Sequence, residues 1–268
     1  MTGSNAGFAA GFYHTLRDGE CCKTLVRRVP AYCEGKGVIV VAVFARSLSR
    51  TIDSADDRFQ RCIEIPSDER EKLIEWLLDR QVLSGRNAGA FAPTAGDFSR
   101  GTHLYTGERL HTKVATWTVL TAEAARFLVL LGGTGEGVSP AIERARNWLA
   151  VSCFGARDCV VGECAHSFVA HLRFLNTTGA DRAAVVRRVS VLRTNRDDAG
   201  RWRRFPFYYT VMVLSEIACE AARSELRYAV AAWACRRVWT RHARDGLYGV
   251  RRRALLERII AQDDRGHP

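Results

Sequence analysis

Between Asp158 and His166 the chain gathers five side chains that can move protons or hold cations: Asp158, Cys159, Glu163, Cys164 and His166. Carboxylates and imidazoles are the usual general acids and bases, and thiolates with imidazole are soft ligands for zinc. The C-x-x-x-x-C spacing of Cys159 and Cys164 matches no common zinc site and no fourth ligand stands out, so no metal site is expected. The plainer alternative gives Glu163 a favourable charge in the first turn of the following helix and His166 an ordinary, partly buried position.

A second group is aromatic: Trp202, Phe205, Phe207, Tyr208 and Tyr209. Stacked ring faces can hold an apolar ligand and stabilise a cation through their quadrupoles. The same rings serve equally as core in a helical protein. A nucleophile elbow is missing, since no G-x-S-x-G occurs, and Ser167 beside His166 points about 100° away from it on a helix. The run Gly132-Gly133-Thr134-Gly135-Glu136-Gly137 lacks the Gly-Lys-Ser/Thr ending of a phosphate loop and reads as a helix stop.

The elements that must position these residues are helices. Residues 67–81 open with Pro66 and Ser67, crowd acids into the first turn and place Leu73, Trp76 and Leu77 at helical spacing. Residues 85–107 read as one long irregular segment. Thr121 is the expected cap of a helix carrying Ala124, Phe127, Leu128 and Leu131, and Ser139-Pro140 opens the next, with Ile142, Ala145, Trp148 and Leu149. Helices are also expected over 163–175, 181–192, 207–219, 221–240 and 250–261. Residues 38–44 are rich in β-branched side chains but have no strand to pair with, so they too are read as helix.

Composition bounds the rest. A chain of 268 residues that is 47% hydrophobic can bury one large core, and one domain over 1–268 is the simpler arrangement. The longest apolar run, 38–45, is far shorter than the ~20 residues that cross a bilayer, so no membrane span and a cytoplasmic location are expected. Nine scattered cysteines are expected to be mostly reduced, buried small hydrophobes. The net charge of +11 concentrates after residue 181, where arginines recur within amphipathic patterns and read first as solvated helix faces. An anionic partner such as nucleic acid is the less favoured assignment, with Trp233 and Trp239 as its only stacking pair.

One pattern recurs. Leu77, Gln81 and Gly85 are spaced L-x-x-x-Q-x-x-x-G, and Leu192, Arg196, Gly200 and Trp202 are spaced L-x-x-x-R-x-x-x-G-x-W. A weaker middle copy surrounds Trp148 and Leu149, with Cys153 in the Gln position. The spacing resembles the QW-type repeat of the terpenoid cyclase and protein prenyltransferase superfamily, and Phe205-Pro206-Phe207-Tyr208-Tyr209-Thr210 resembles the start of an inner helix there. Arg196 departs from the family's Gln, and the aromatic of the first copy, Phe91, comes late.

The resemblance implies an all-α fold, an α/α toroid-like stack of helical hairpins, with repeats over 67–217 and flanking helices over 1–66 and 218–268. It implies an isoprenoid or other apolar ligand in a central cavity lined by Trp202, Phe205, Phe207, Tyr208 and Tyr209. The start of the 163–175 helix would then point into that cavity, making Asp158, Glu163 and His166 the candidate catalytic residues. The family's D-x-D-D acid and Asp-x-Cys zinc ligands are missing, as is the D-D-x-x-D magnesium motif of isoprenoid synthases, so catalysis and cofactor stay open. The alternative from another class is a non-catalytic helical scaffold that binds protein or nucleic acid through its arginine-rich final third.

Overall fold

The computed structural model describes residues 47–133, 135–179, 182–234 and 246–263. Among these described residues eleven helices succeed one another: α1 (Leu48–Gln60), α2 (Ser67–Asp79), α3 (Ala95–Ser99), α4 (Lys113–Leu130), α5 (Val138–Ala150), α6 (Cys153–Ala156), α7 (Cys164–Thr177), α8 (Arg182–Thr194), α9 (Phe207–Glu216), α10 (Glu220–Ala234) and α11 (Gly246–Asp263). Between α3 and α4 lies an antiparallel pair, β1 (Thr102–His103) and β2 (Arg109–Leu110), in the register Thr102↔Leu110 and His103↔Arg109. The described chain is thus all-α, as the periodicity indicates. The segment 38–44, Trp239 and the side chain of Trp233 lie outside the described residues.

Two expectations about elements need correcting. Residues 85–107 are not wholly irregular, because they contain α3 and β1. Their organiser is Asp97, buried in α3, whose carboxylate accepts from the Thr94 amide and, across the fold, from the amides of Leu48 and Ser49 and the hydroxyl of Ser47. One carboxylate therefore caps the starts of both α1 and α3.

Thr121 does not start a helix; it lies midway along α4, fully buried, and its hydroxyl accepts from the Phe91 amide at 3.0 Å. The true cap is Thr112, whose hydroxyl accepts from the Ala115 amide. Nearly every residue from Ala115 to Leu128 is buried, polar ones included, so α4 has no solvent face whose periodicity could mark its beginning.

The contacts have a two-step rhythm. Helix α1 packs on α4, α4 on α7, α7 on α9 and α9 on α11. Arg251 of α11 then reaches Asp53 of α1 at 2.6 Å and Asp57 at 3.2 Å, so this run of helices returns to its start. Helices α2, α5, α8 and α10 flank it, with α2 on α5 and α8 on α10.

Where α1, α4, α7 and α9 converge, the interior is ionic. Arg173 of α7 is 1% exposed and binds Asp56 at 2.7 Å, Glu216 at 2.6 Å and Glu123 at 3.2 Å. Arg126 binds Asp56 and Glu123, and the Tyr209 hydroxyl donates to Glu123. Charges this deep are tolerable only when paired and hydrogen-bonded. Burial alone would raise the Asp56 carboxyl, but the Arg126 and Arg173 guanidiniums more than offset this and hold it at about 2.

Candidate functional site

The five aromatics picked out in the sequence do not share one surface. Tyr209 belongs to the central ion network. Trp202 is buried, stacks on Phe207 at 6.0 Å and donates its indole N–H to Glu225 at 2.9 Å. Phe205 is buried with its ring edge-on to Phe168. Phe207 and Tyr208 are half-buried, with the Arg252 guanidinium 4.6 Å from the Tyr208 ring centre. A cleft lined by Phe207, Val211, Leu226, Ala229, Val230, Leu256 and Ile259 has a volume of about 10 Å³, room for one water molecule.

Of the three candidate catalytic residues, Asp158 and Glu163 are each taken up by a separate structural contact. Asp158, in the left-handed backbone region, pairs with Arg188 of α8 at 3.0 Å. The Glu163 carboxylate accepts from the amides of His111 at 2.5 Å and Thr112 at 2.7 Å, so it caps the start of α4. Burial would raise that carboxyl, but the bonds from Thr112 and His111 outweigh it and lower it. His166 has a buried Nδ1 without a hydrogen-bond partner, and burial pushes its imidazole down.

What the same stretch does assemble is sulfur. The Sγ atoms of Cys153, Cys159 and Cys164 all lie within 4.8 Å of one another, and those of Cys153 and Cys164 are 3.5 Å apart. Cys153 begins α6 and Cys164 begins α7, with Cys159 in the loop between them. Ser152 caps α6 by accepting from the Gly155 amide, and the Cys159 amide donates back to the Cys153 carbonyl at 3.3 Å, which folds the loop onto itself. Gly155 is obligatory here, since a Cβ would stand 2.1 Å from the Leu149 carbonyl oxygen. Arg188 fastens the loop from α8, donating to the Phe154 carbonyl at 2.8 Å as well as to Asp158.

Three thiols this close cannot all ionise without a cation. Burial, and then the neighbouring Cys153 and Cys159 sulfurs, push the Cys164 thiol up to about 12. The Cys159 thiol is held below its ordinary value, first by a backbone hydrogen bond from Val161. A bound metal ion removes that repulsion and deprotonates coordinating thiols. With metal–sulfur bonds of about 2.3 Å, tetrahedral geometry puts sulfurs roughly 3.8 Å apart, close to the 3.5 Å between Cys153 and Cys164.

Sequence reasoning found Cys159 and Cys164 and missed Cys153, while including His166. Two residues beyond Cys164 on α7, His166 points about 200° round the helix from it, and it is not part of the sulfur cluster. The general expectation of buried cysteines also fails for this region. Among the described cysteines Cys219 is buried, whereas Cys62 and Cys153 are exposed and Cys159 and Cys164 half-buried, because the three clustered thiols sit at two helix starts and the surface loop that joins them.

The signal that could have found Cys153 is the repeat. Leu77, Leu149 and Leu192 are all buried to 1% exposure or less, and each is succeeded four residues later by Gln81, Cys153 or Arg196. Gln81 bridges to Phe91, donates to the Gly89 and Ala141 carbonyls and accepts from Arg144 of α5. Arg196 bridges in the same way to Trp202 and pairs with Glu225 of α10 at 2.8 Å. In the middle turn no polar side chain fills this place; the thiol cluster stands there. Compared with known proteins, the chain matches no described family, no curated protein and no solved structure.

Proposed function

We propose that this chain is a helical-repeat protein that binds a thiophilic metal ion, zinc in the first instance, through Cys153, Cys159 and Cys164. The observation that carries this is the convergence of three Sγ atoms within 4.8 Å. Soft thiolates select zinc and cuprous copper over magnesium or calcium. Because Cys153 is exposed, water can complete a fourth zinc position. The metal closes the α5–α7 turn, where Gln81 and Arg196 close the other two turns by tying the ends of α2 and α8 to the neighbouring flanking helices α5 and α10. The two-step order of helix contacts and the matching bridges at Gln81 and Arg196 support an α/α toroid-type arrangement.

The test is elemental. Chain purified under reducing conditions should carry one zinc per molecule, and Cys153→Ser, Cys159→Ser and Cys164→Ser should each lose most of it while keeping their helical circular dichroism. Full metal retention in the Cys153→Ser variant would show that the three sulfurs do not act together.

A second reading, binding of an isoprenoid or other apolar ligand, is favoured by the wholly apolar lining of the cleft between α9, α10 and α11. It requires those helices to part, since the cleft's volume is that of a single water. A panel of prenyl diphosphates should then raise the melting temperature of the wild type but not of Val211→Trp, whose indole fills the cleft. Equal shifts in the two proteins would count against it.

A further inference from the structure

We infer that the thiol cluster is a redox-gated site, in which a hydroperoxide joins Cys153 to Cys164 and expels the metal. This rests on the metal-binding reading above. The geometry points to this pair because its sulfurs are already 3.5 Å apart, whereas a disulfide needs about 2.05 Å. Cys153 is exposed, so it is the thiol a small peroxide reaches first. Each sulfur is carried on the first residue of its helix, beside the loop 157–163, so closure shifts helix starts and a loop and leaves the packed helix interiors in place.

The chemistry balances with hydrogen peroxide as the oxidant. The Cys153 sulfur attacks one peroxide oxygen, the O–O bond breaks and hydroxide leaves, giving a sulfenic acid. The Cys164 sulfur then attacks the Cys153 sulfur and expels its hydroxide, forming the S–S bond. The two zinc-bound thiolates lose two electrons to one peroxide, whose oxygens leave as two hydroxides and take two protons from solvent to become two waters. Cys159 keeps its thiol but is left as the sole sulfur ligand, too few to hold the ion. A dithiol reductant reverses the change.

The experiment uses the full chain, reduced and loaded with zinc, titrated with hydrogen peroxide. Zinc release is tracked with a chromophoric chelator, and free thiols are alkylated before digestion. Cleavage after Arg157 and after Glu163 places the three cysteines on three different peptides, so each pairing is read unambiguously. The expected result is one zinc released per peroxide consumed, a Cys153–Cys164 linked peptide, an alkylated Cys159 and rebinding of zinc after reduction.

Zinc retained with all three thiols intact under excess peroxide overturns the inference and leaves the metal reading standing. So does a linkage that runs mainly through Cys159. A wild-type chain that takes up no zinc sinks the metal reading and with it the gate. The Cys159→Ser variant isolates the pairing from metal binding, since it should still form the Cys153–Cys164 bond without holding zinc; failure to do so counts against the assigned pair.

Discussion

His171 of α7 lies between the rings of Phe154 and Phe174, only 3% exposed, with its Nδ1 lacking a hydrogen-bond partner. Burial first, then Arg188 and Arg146, push its imidazole down to about 3. An unfolded histidine takes a proton near pH 6.5, while the folded one refuses it until about 3, so the unfolded chain binds more protons between those values. Stability from this residue is complete above pH 6.5 and falls on acidification, by up to about 1.4 kcal/mol per pH unit. Urea unfolding at pH 7.5 and 5 should therefore show the wild type losing about 2 kcal/mol more than His171→Phe. Equal losses would place the proton elsewhere. Glu163 gives the contrasting case of a residue whose type suggests catalysis and whose bonds are those of a helix cap. Glu163→Gln should lower stability by roughly 1 kcal/mol and leave zinc content unchanged; loss of the metal would mean that the carboxylate serves the sulfur site.

At the level of elements, amphipathic helices were readable and fully buried ones were not. Helix α2 shows its boundaries because Leu73 and Leu77 are buried while acids line its exposed first turn. Helix α4 hides its start because its threonines, Glu123 and Arg126 are as buried as its leucines. The repeat was readable as leucine plus polar residue, but the job of the polar residue is visible only with its partners on the neighbouring flanking helix, Arg144 of α5 for Gln81 and Glu225 of α10 for Arg196. Gln81→Leu removes the donor to two carbonyls and the acceptor of the Arg144 guanidinium in a site where Gln81 is 7% exposed. It should cost about 2–3 kcal/mol in chemical unfolding. A cost below about 0.5 kcal/mol would show that the tie does not hold the α2–α5 junction.

The whole molecule is organised by contacts that no local pattern announces. Asp56, Glu123, Arg126, Arg173, Tyr209 and Glu216 come from four helices and share no spacing in the sequence, yet they form the buried junction of α1, α4, α7 and α9. Part of the arginine excess is therefore internal: Arg126, Arg173, Arg188 and Arg251 are all buried and ion-paired, not spread over solvated faces. Arg173→Met removes one guanidinium from three carboxylates and should destabilise the fold by roughly 3–5 kcal/mol. The three cysteines were hard to group for the same reason, since their spacing becomes a cluster only when the loop after α6 turns back. X-ray absorption at the zinc edge of the reduced, metal-loaded chain tests that cluster directly. The account predicts three sulfur neighbours at about 2.3 Å and one lighter oxygen or nitrogen neighbour; a shell of oxygen and nitrogen alone would contradict it.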